Sequence, residues 1–341
     1  MLPFGARARF ATALSTGFGG GTRFLHACGF LLFFLIATGC TPLHTDRILA
    51  TAEGFPPPVE MTAVPFFPQE EYQCGPAALA TVLNWSGLSV TPAELAPQVY
   101  IPERQGSLQL ELLGAARRHG RVPYVIQPQL ESLLAEVSSG NPVVILQNLS
   151  LPWYPKWHYA VVVGFDLKGD RLVLRSGIEE RHEVPFKVFE RTWRRSDYWA
   201  MVVLPPDRLP FTAEEIPYVQ AVAPLERLSR WPETTMAYAT ALERWPRSLA
   251  ARMGLGNSRY ALGDLHGAEA AFRQATKEHP DAGAAFNNLA QALADQNRLT
   301  DARRAAQRAV DIGGPQQKIF RDTLKQIEAK LEEKKQEPIT K

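Results

Sequence analysis

Ala241, Ala275 and Ala309 stand 34 residues apart, and so do Tyr238, Phe272 and Ala306. Pro246 and Pro280, Leu255 and Leu289, and Ala268 and Ala302 keep the same interval. Few folds accept a fixed period of this length. Each unit must be a pair of helices that cannot bury its apolar face alone and therefore stacks on the next. The period covers residues 215–316. It is strongest in 249–282 and 283–316 and looser in 215–248, where Thr234 takes the place of a small residue. Small residues at the crossings let paired helices approach, and the aromatics fill the gaps between units. Within 317–341, the stretch from Ile319 to Lys335 is expected to be a capping helix of mixed charge, and the last residues fray.

Before residue 215 the chain has another character. Its 341 residues suffice for about two domains. The formal net charge of +2 is too small to make nucleic acid a main partner. There is no G-x-x-x-x-G-K-[ST] run and no Cys/His cluster with zinc spacing, so neither a cofactor nor a metal is expected.

In residues 1–40 the only charges are Arg7, Arg9 and Arg23, followed by the apolar run Phe30 to Ala37. That run has signal-peptide length and is too short to span a bilayer stably. Ala37-Thr38-Gly39-Cys40 resembles a bacterial lipoprotein processing site, which implies cleavage before Cys40 and lipid on its new terminus. Thr41 after it, in place of Asp, implies the outer membrane of the cell envelope, with the domains facing the periplasm. Residues 41–63 are rich in Thr, Ala and Pro, with Pro56-Pro57-Pro58 at their centre, and are expected to form an extended tether.

Residues 64–206 place helices first and strands afterwards. A helix is expected from Cys74 to Trp85, a second from Thr91 as N-cap with Pro92 and Glu94 following, a third over Ser107–His119 and a short one over Leu130–Val137. Apolar runs then mark strands at Pro142–Leu146, His158–Phe165, Arg171–Arg175 and Tyr198–Leu204. This order predicts an α+β domain with an antiparallel sheet, followed by an all-α repeat solenoid.

Cys74 is the candidate nucleophile. It stands at a helix start, where unpaired N–H groups and the dipole favour thiolate over thiol. It is also the only cysteine between residue 41 and the C-terminus, so no disulfide partner is expected for it in the mature chain. The bland reading is a small buried hydrophobe on a core helix. A cysteine nucleophile needs a base, and His158 is the best candidate, at the head of a strand behind the loop Leu151–Trp157. Taken alone, a histidine there more often caps the strand. Gln69, five residues before Cys74, is the candidate oxyanion donor, against the reading of an ordinary loop glutamine.

Val64-Pro65, Gln69, Cys74-Gly75-Pro76-Ala77-Ala78-Leu79 and His158-Tyr159-Ala160-Val161-Val162-Val163-Gly164 together resemble the C39 family of cysteine peptidases and its C39-like relatives, over about residues 64–206. The resemblance implies a papain-like fold, with Cys74 as nucleophile, His158 as general base and Gln69 as oxyanion support. Where that family usually has an Asp or Asn to orient the imidazole, this chain has Leu174-Arg175-Ser176-Gly177, which leaves the neutral hydroxyl of Ser176 as partner. Classical members of that family are fused to transporters and trim leader peptides; this chain has neither context, so that substrate is not carried over. The repeat resembles the tetratricopeptide repeat, which implies a concave face for a protein partner.

The resulting expectation is a lipid-anchored cysteine peptidase acting on a peptide or protein substrate, with the repeats recruiting a protein. The alternatives are a C39-like peptide-binding module with the repeats as scaffold, and acyl transfer by the same thiol to an amine.

Overall fold

The computed structural model describes residues 44–50, 57–69 and 73–336. The expected signal segment 1–40, with Cys40, lies outside these described residues. The chain forms helix α1 (His44–Ala50), strand β1 (Val59–Glu60), α2 (Cys74–Trp85), α3 (Pro92–Val99), a short β2–β3 pair (Tyr100–Ile101, Gly106–Ser107), α4 (Gln109–Arg118), β4 (Val122–Val125) and α5 (Leu130–Ser138). It continues through β5 (Val143–Asn148), β6 (Trp157–Asp166), β7 (Arg171–Ser176), β8 (Glu179–Val184), α6 (Phe186–Arg194) and β9 (Ala200–Leu204).

The antiparallel sheet runs in the order β4-β9-β5-β6-β7-β8, with β1 added beside β6. Its central strands are apolar on both faces because helices cover both. On one face Val144, Leu146, Tyr159, Val161 and Val163 pack with Leu79, Leu83, Leu95 and Leu112 from α2, α3 and α4. On the other, Val143, Ile145, Ala160 and Val162 pack with Leu133 of α5 and Phe189 and Trp193 of α6. Each fully buried Leu or Phe of this kind contributes about 1.5–3 kcal/mol. The N-terminus of α3 forms the capping box expected from Thr91 and Glu94. The third helix is shorter than expected: Ser107 belongs to β3, and α4 starts at Gln109.

The expected tether at 41–63 needs correction. Residues 44–50 form α1, which docks on α6 through the carboxylate of the fully buried Glu190. Glu190 accepts from His44 N at 2.7 Å, Thr45 N at 2.8 Å and Thr45 Oγ1 at 2.5 Å. An anion at the first turn of a helix meets both its free N–H groups and the positive end of its dipole. Ile48 is buried in the same place. Further on, β1 pairs with β6, and Met61 N donates to Val163 O at 2.9 Å. The folded domain therefore begins by residue 44, and threonine and alanine in this stretch serve a docked helix.

After β9 come α7 (Glu215–Arg227), α8 (Trp231–Arg244), α9 (Leu249–Ala261), α10 (Leu265–Glu278), α11 (Gly283–Asp295), α12 (Leu299–Ile312) and α13 (Gln317–Gln336). The first helices of successive pairs begin at 215, 249 and 283, and the second helices at 231, 265 and 299. The first pair shares the core of the sheet: Tyr218 and Val222 join the cluster that holds Val143 and Val162. Buried Glu136 of α5 ties the connecting segment, accepting from Thr212 N at 2.8 Å and Phe211 N at 3.2 Å. Phe320 and Ile327 of α13 are buried and close the stack.

Gly254 shows how the pairs pack. A Cβ there would stand 2.2 Å from the ring of Tyr238. Gly254→Ala should therefore lower stability by about 1–3 kcal/mol through overpacking, although alanine in a helix is intrinsically better than glycine by about 1 kcal/mol. Denaturant unfolding checks the sign: a more stable variant would show that ring and helix have room to spare.

Candidate active site

Cys74 is the first residue of α2, so its own N–H and that of Gly75 are among the amides a helix leaves unpaired. Both act on the thiol to favour its charged form, and so does the backbone N–H of Tyr159. The nitrogen of Tyr159 is bonded to the carbonyl carbon of His158, so the sulfur sits against the peptide that joins His158 to Tyr159. Gly75 has a steric reason of its own: a Cβ there would stand 2.4 Å from Ser107 Oγ. Pro76 gives up an N–H that the first turn does not use.

His158 lies at the start of β6, paired with Gln147 of β5. Its Nε2 is 2.9 Å from Ser176 Oγ, at the end of β7. Gln69 is held from both ends of its amide. Its Oε1 accepts from Gly177 N at 3.1 Å, and its Nε2 donates to Tyr159 O at 3.3 Å. Its own N–H donates to Gly177 O at 2.9 Å. Thus Gln69 binds the carbonyl of Tyr159, the residue whose N–H acts on the Cys74 thiol. Ser176 and Gly177, which follow each other in the chain, hold His158 and Gln69. Gln69 and Ser176 were separate candidates in the sequence; the structure brings Gln69 to Gly177, the residue next to Ser176.

Two residues escaped the sequence reading. Tyr159 supplies the backbone groups just described, and its hydroxyl donates to Ser107 O at 3.2 Å. Arg175 is 4% exposed and spends its guanidinium on carbonyls: Nε on Val64 O at 3.2 Å, Nη2 on Thr62 O at 3.1 Å and Nη1 on Glu180 O at 2.6 Å. It clamps the segment that leads to Gln69. The signal was there to find, since an arginine that directly follows Leu172-Val173-Leu174 within a buried strand must satisfy its donors.

The electrostatics correct the expectation of a resting thiolate. Burial raises the Cys74 thiol above its ordinary pKa, and the N–H groups of Tyr159, Gly75 and Cys74 offset this only in part. Burial also lowers the His158 imidazole to about 4, helped by the positive side chains of His182 and Lys156. Each group alone is held neutral, and Ser176 brings no negative charge that would favour an imidazolium. An apolar groove of about 760 Å³ starts at Gln73, beside Cys74, and is lined by Pro68, Pro92, Pro97, Tyr100 and Pro102.

A family model described as "Peptidase_C39 like family" matches residues 61–201, and a tetratricopeptide-repeat model matches residues 254–317. The chain carries a C39-like peptidase domain followed by tetratricopeptide repeats, which are modules of protein–protein interaction. Among solved structures, a protein from Bacillus anthracis described as a C39-like peptidase is 19% identical, with 44% of this chain and 98% of that one covered and a TM-score of 0.38. The Sgt2 tetratricopeptide domain from Aspergillus fumigatus is 19% identical, covering 38% of this chain and 88% of that one, with a TM-score of 0.35. The TPR2B domain of yeast Sti1, in complex with pHsp70, is 16% identical, covering 32% and 91%, with a TM-score of 0.31. No curated protein matches.

The depressed His158 has a consequence for acid stability. In the unfolded chain it takes up a proton near its ordinary pKa of 6.5, and in the fold only near about 4. Between these values the unfolded state binds more protons, so stability falls as pH falls. Full above about pH 6.5, this contribution should lose roughly 2–3 kcal/mol by pH 4. Denaturant midpoints at pH 7 and pH 4.5 check it: His158→Gln should show a smaller drop than the native chain.

Proposed function

We propose that the chain is a cysteine peptidase of the cell envelope, anchored at an outer membrane through lipid on Cys40, whose repeats recruit a protein. The observation that carries the chemistry is the junction at Tyr159: its carbonyl takes the amide of Gln69, its N–H acts on the Cys74 thiol, and His158, the residue before it, is held by Ser176. The lipid and the location rest on the sequence at Cys40 alone.

In this reading the Cys74 thiol gives its proton to His158. Since Nε2 faces Ser176, Nδ1 is the nitrogen that receives it. The sulfur attacks the substrate carbonyl as the carbonyl π bond opens onto oxygen. The oxyanion takes the N–H of Cys74 and the second Nε2 hydrogen of Gln69, whose first hydrogen goes to Tyr159 O. Collapse breaks the C–N bond, and the imidazolium protonates the departing amine. Water then attacks the thioester, giving its proton to His158, and release of the carboxylic acid restores the thiol. The neutral pair of the resting site means that charge separates only as the substrate carbonyl becomes available to share it.

A peptide carrying a thiol-directed electrophile should form a covalent adduct detected by mass, absent in Cys74→Ser. His158→Ala should slow its formation by at least about 100-fold. Equal rates with and without His158 would sink the peptidase reading in favour of a binding module. Ser176→Asp should raise the pKa of His158 by about 1–3 units and speed trapping near neutral pH by about tenfold for each unit. The pH profile of trapping measures both.

A further inference from the structure

The hairpin of residues 149–157, between β5 and β6, is ordered from within. Asn148 Oδ1 accepts from Ser150 N at 3.0 Å and Lys156 N at 2.9 Å, and Leu149 N donates to Lys156 O at 2.9 Å. Arg195, just past α6, adds Nη1 bonds to Asn148 O at 3.1 Å and Ser150 O at 2.7 Å. This fixed backbone nevertheless holds large apolar groups in the open: Trp153 is 78% exposed, Tyr154 71%, Leu151 47% and Leu149 46%. Single exposed apolar residues are ordinary, but a rigid hairpin presenting several together marks an interaction surface.

Next to it, α6 is divided lengthwise. Phe186, Phe189 and Trp193 are buried, while Lys187, Arg191 and Arg194 are exposed, as is Arg195 beyond them. On the hairpin, α6 and the turn after it, the exposed charges are Lys156, these four cations and one carboxylate, Asp197. Glu190 is buried on α1, and Asp46 of α1 pairs with Lys187 at 2.7 Å.

We propose that this face, the aromatic hairpin with the cationic side of α6, docks on the surface of an anionic lipid bilayer. Tryptophan and tyrosine place an apolar body and a polar edge at headgroup level, and arginines beside them meet anionic headgroups. Contact of this kind is interfacial; among the described residues no helix is long and apolar enough to cross a membrane. The path of the chain agrees. His44 is fixed to Glu190 on α6, and Cys40 is four residues earlier, within about 14 Å at full extension. A lipid on Cys40 would hold this side of the domain to the bilayer. That last support rests on the lipid anchor proposed above; the hairpin and α6 stand without it. Because Trp157 leads directly into His158, the docked hairpin would set one wall of the cleft near the membrane, where membrane-proximal peptides are the accessible substrates.

The test uses the full chain with vesicles of phosphatidylcholine alone or mixed with phosphatidylglycerol, both with brominated acyl chains. Sedimentation reports attachment, and quenching of tryptophan fluorescence reports which part enters the lipid. Quenching should be stronger on the mixed vesicles, and Trp153→Phe should remove most of it. Arg191→Glu with Arg194→Glu should raise the lipid concentration needed by at least about tenfold. Cys40→Ala should leave the quenching in place, which separates this proposal from the lipid anchor. Quenching unchanged by Trp153→Phe, sedimentation without quenching, or no binding at all would each overturn it. So would slower electrophile trapping in Trp153→Phe without any quenching, which would give the hairpin to the substrate.

Discussion

The site depends on how the sheet ends beside Tyr159. Strand β7 stops at Ser176, while β6 reaches back to Trp157, so the backbone of Tyr159 extends past its neighbour on that side. Backbone N–H and C=O groups that are out of water need partners. Here the carbonyl of Tyr159 takes the side-chain amide of Gln69, and its N–H acts on the Cys74 thiol. Because Cys74 and Gln69 satisfy the same residue, the helix start and the loop before it are fixed relative to His158, which precedes Tyr159 in the chain. The turn at Ser176-Gly177 closes the arrangement by holding His158 and Gln69 at once. Geometry at the site is thus a by-product of completing a sheet edge, and the buried guanidinium of Arg175 secures the segment that does it.

The same enclosure sets the electrostatics. Removing a thiol and an imidazole from water disfavours the charged form of each, and this effect outweighs the helix N-terminal amides around the sulfur. With a hydroxyl at position 176, imidazolium gains orientation but little charge stabilisation. Burial thus favours the neutral form of both groups.

The repeats are not a separate appendage. Their first pair shares a core with the far face of the sheet, and Glu136 binds the amides of the connecting segment. The first repeat helices therefore stand in a defined place relative to the cleft. The N-terminal helix α1 is held in a comparable way, through a buried carboxylate on its first turn. Both ends of the peptidase-like domain are fastened by acidic residues that accept backbone N–H groups, a strong form of hydrogen bond where water is excluded.

Periodicity decided much of this protein from the sequence alone. A 34-residue recurrence leaves paired helices little alternative, and apolar runs marked the strands of an antiparallel sheet; that helices cover both of its faces is a finding of the structure. The capping box at Thr91 was equally plain, because its contacts are local. What escaped were elements whose identity depends on distant partners. β8 is polar except for Val184, and only pairing with β7 makes it a strand; α1 holds its place through Glu190, some 145 residues away. The candidate residues Gln69, Cys74, His158 and Ser176 could each be picked out by type and position, and Ser176 was expected beside His158, as it is; that Gln69 binds Gly177 and Tyr159 could not be read. The sulfur's charge state was misjudged for the same reason: a helix start is visible in a sequence, while the degree of burial that opposes it is a property of the folded whole.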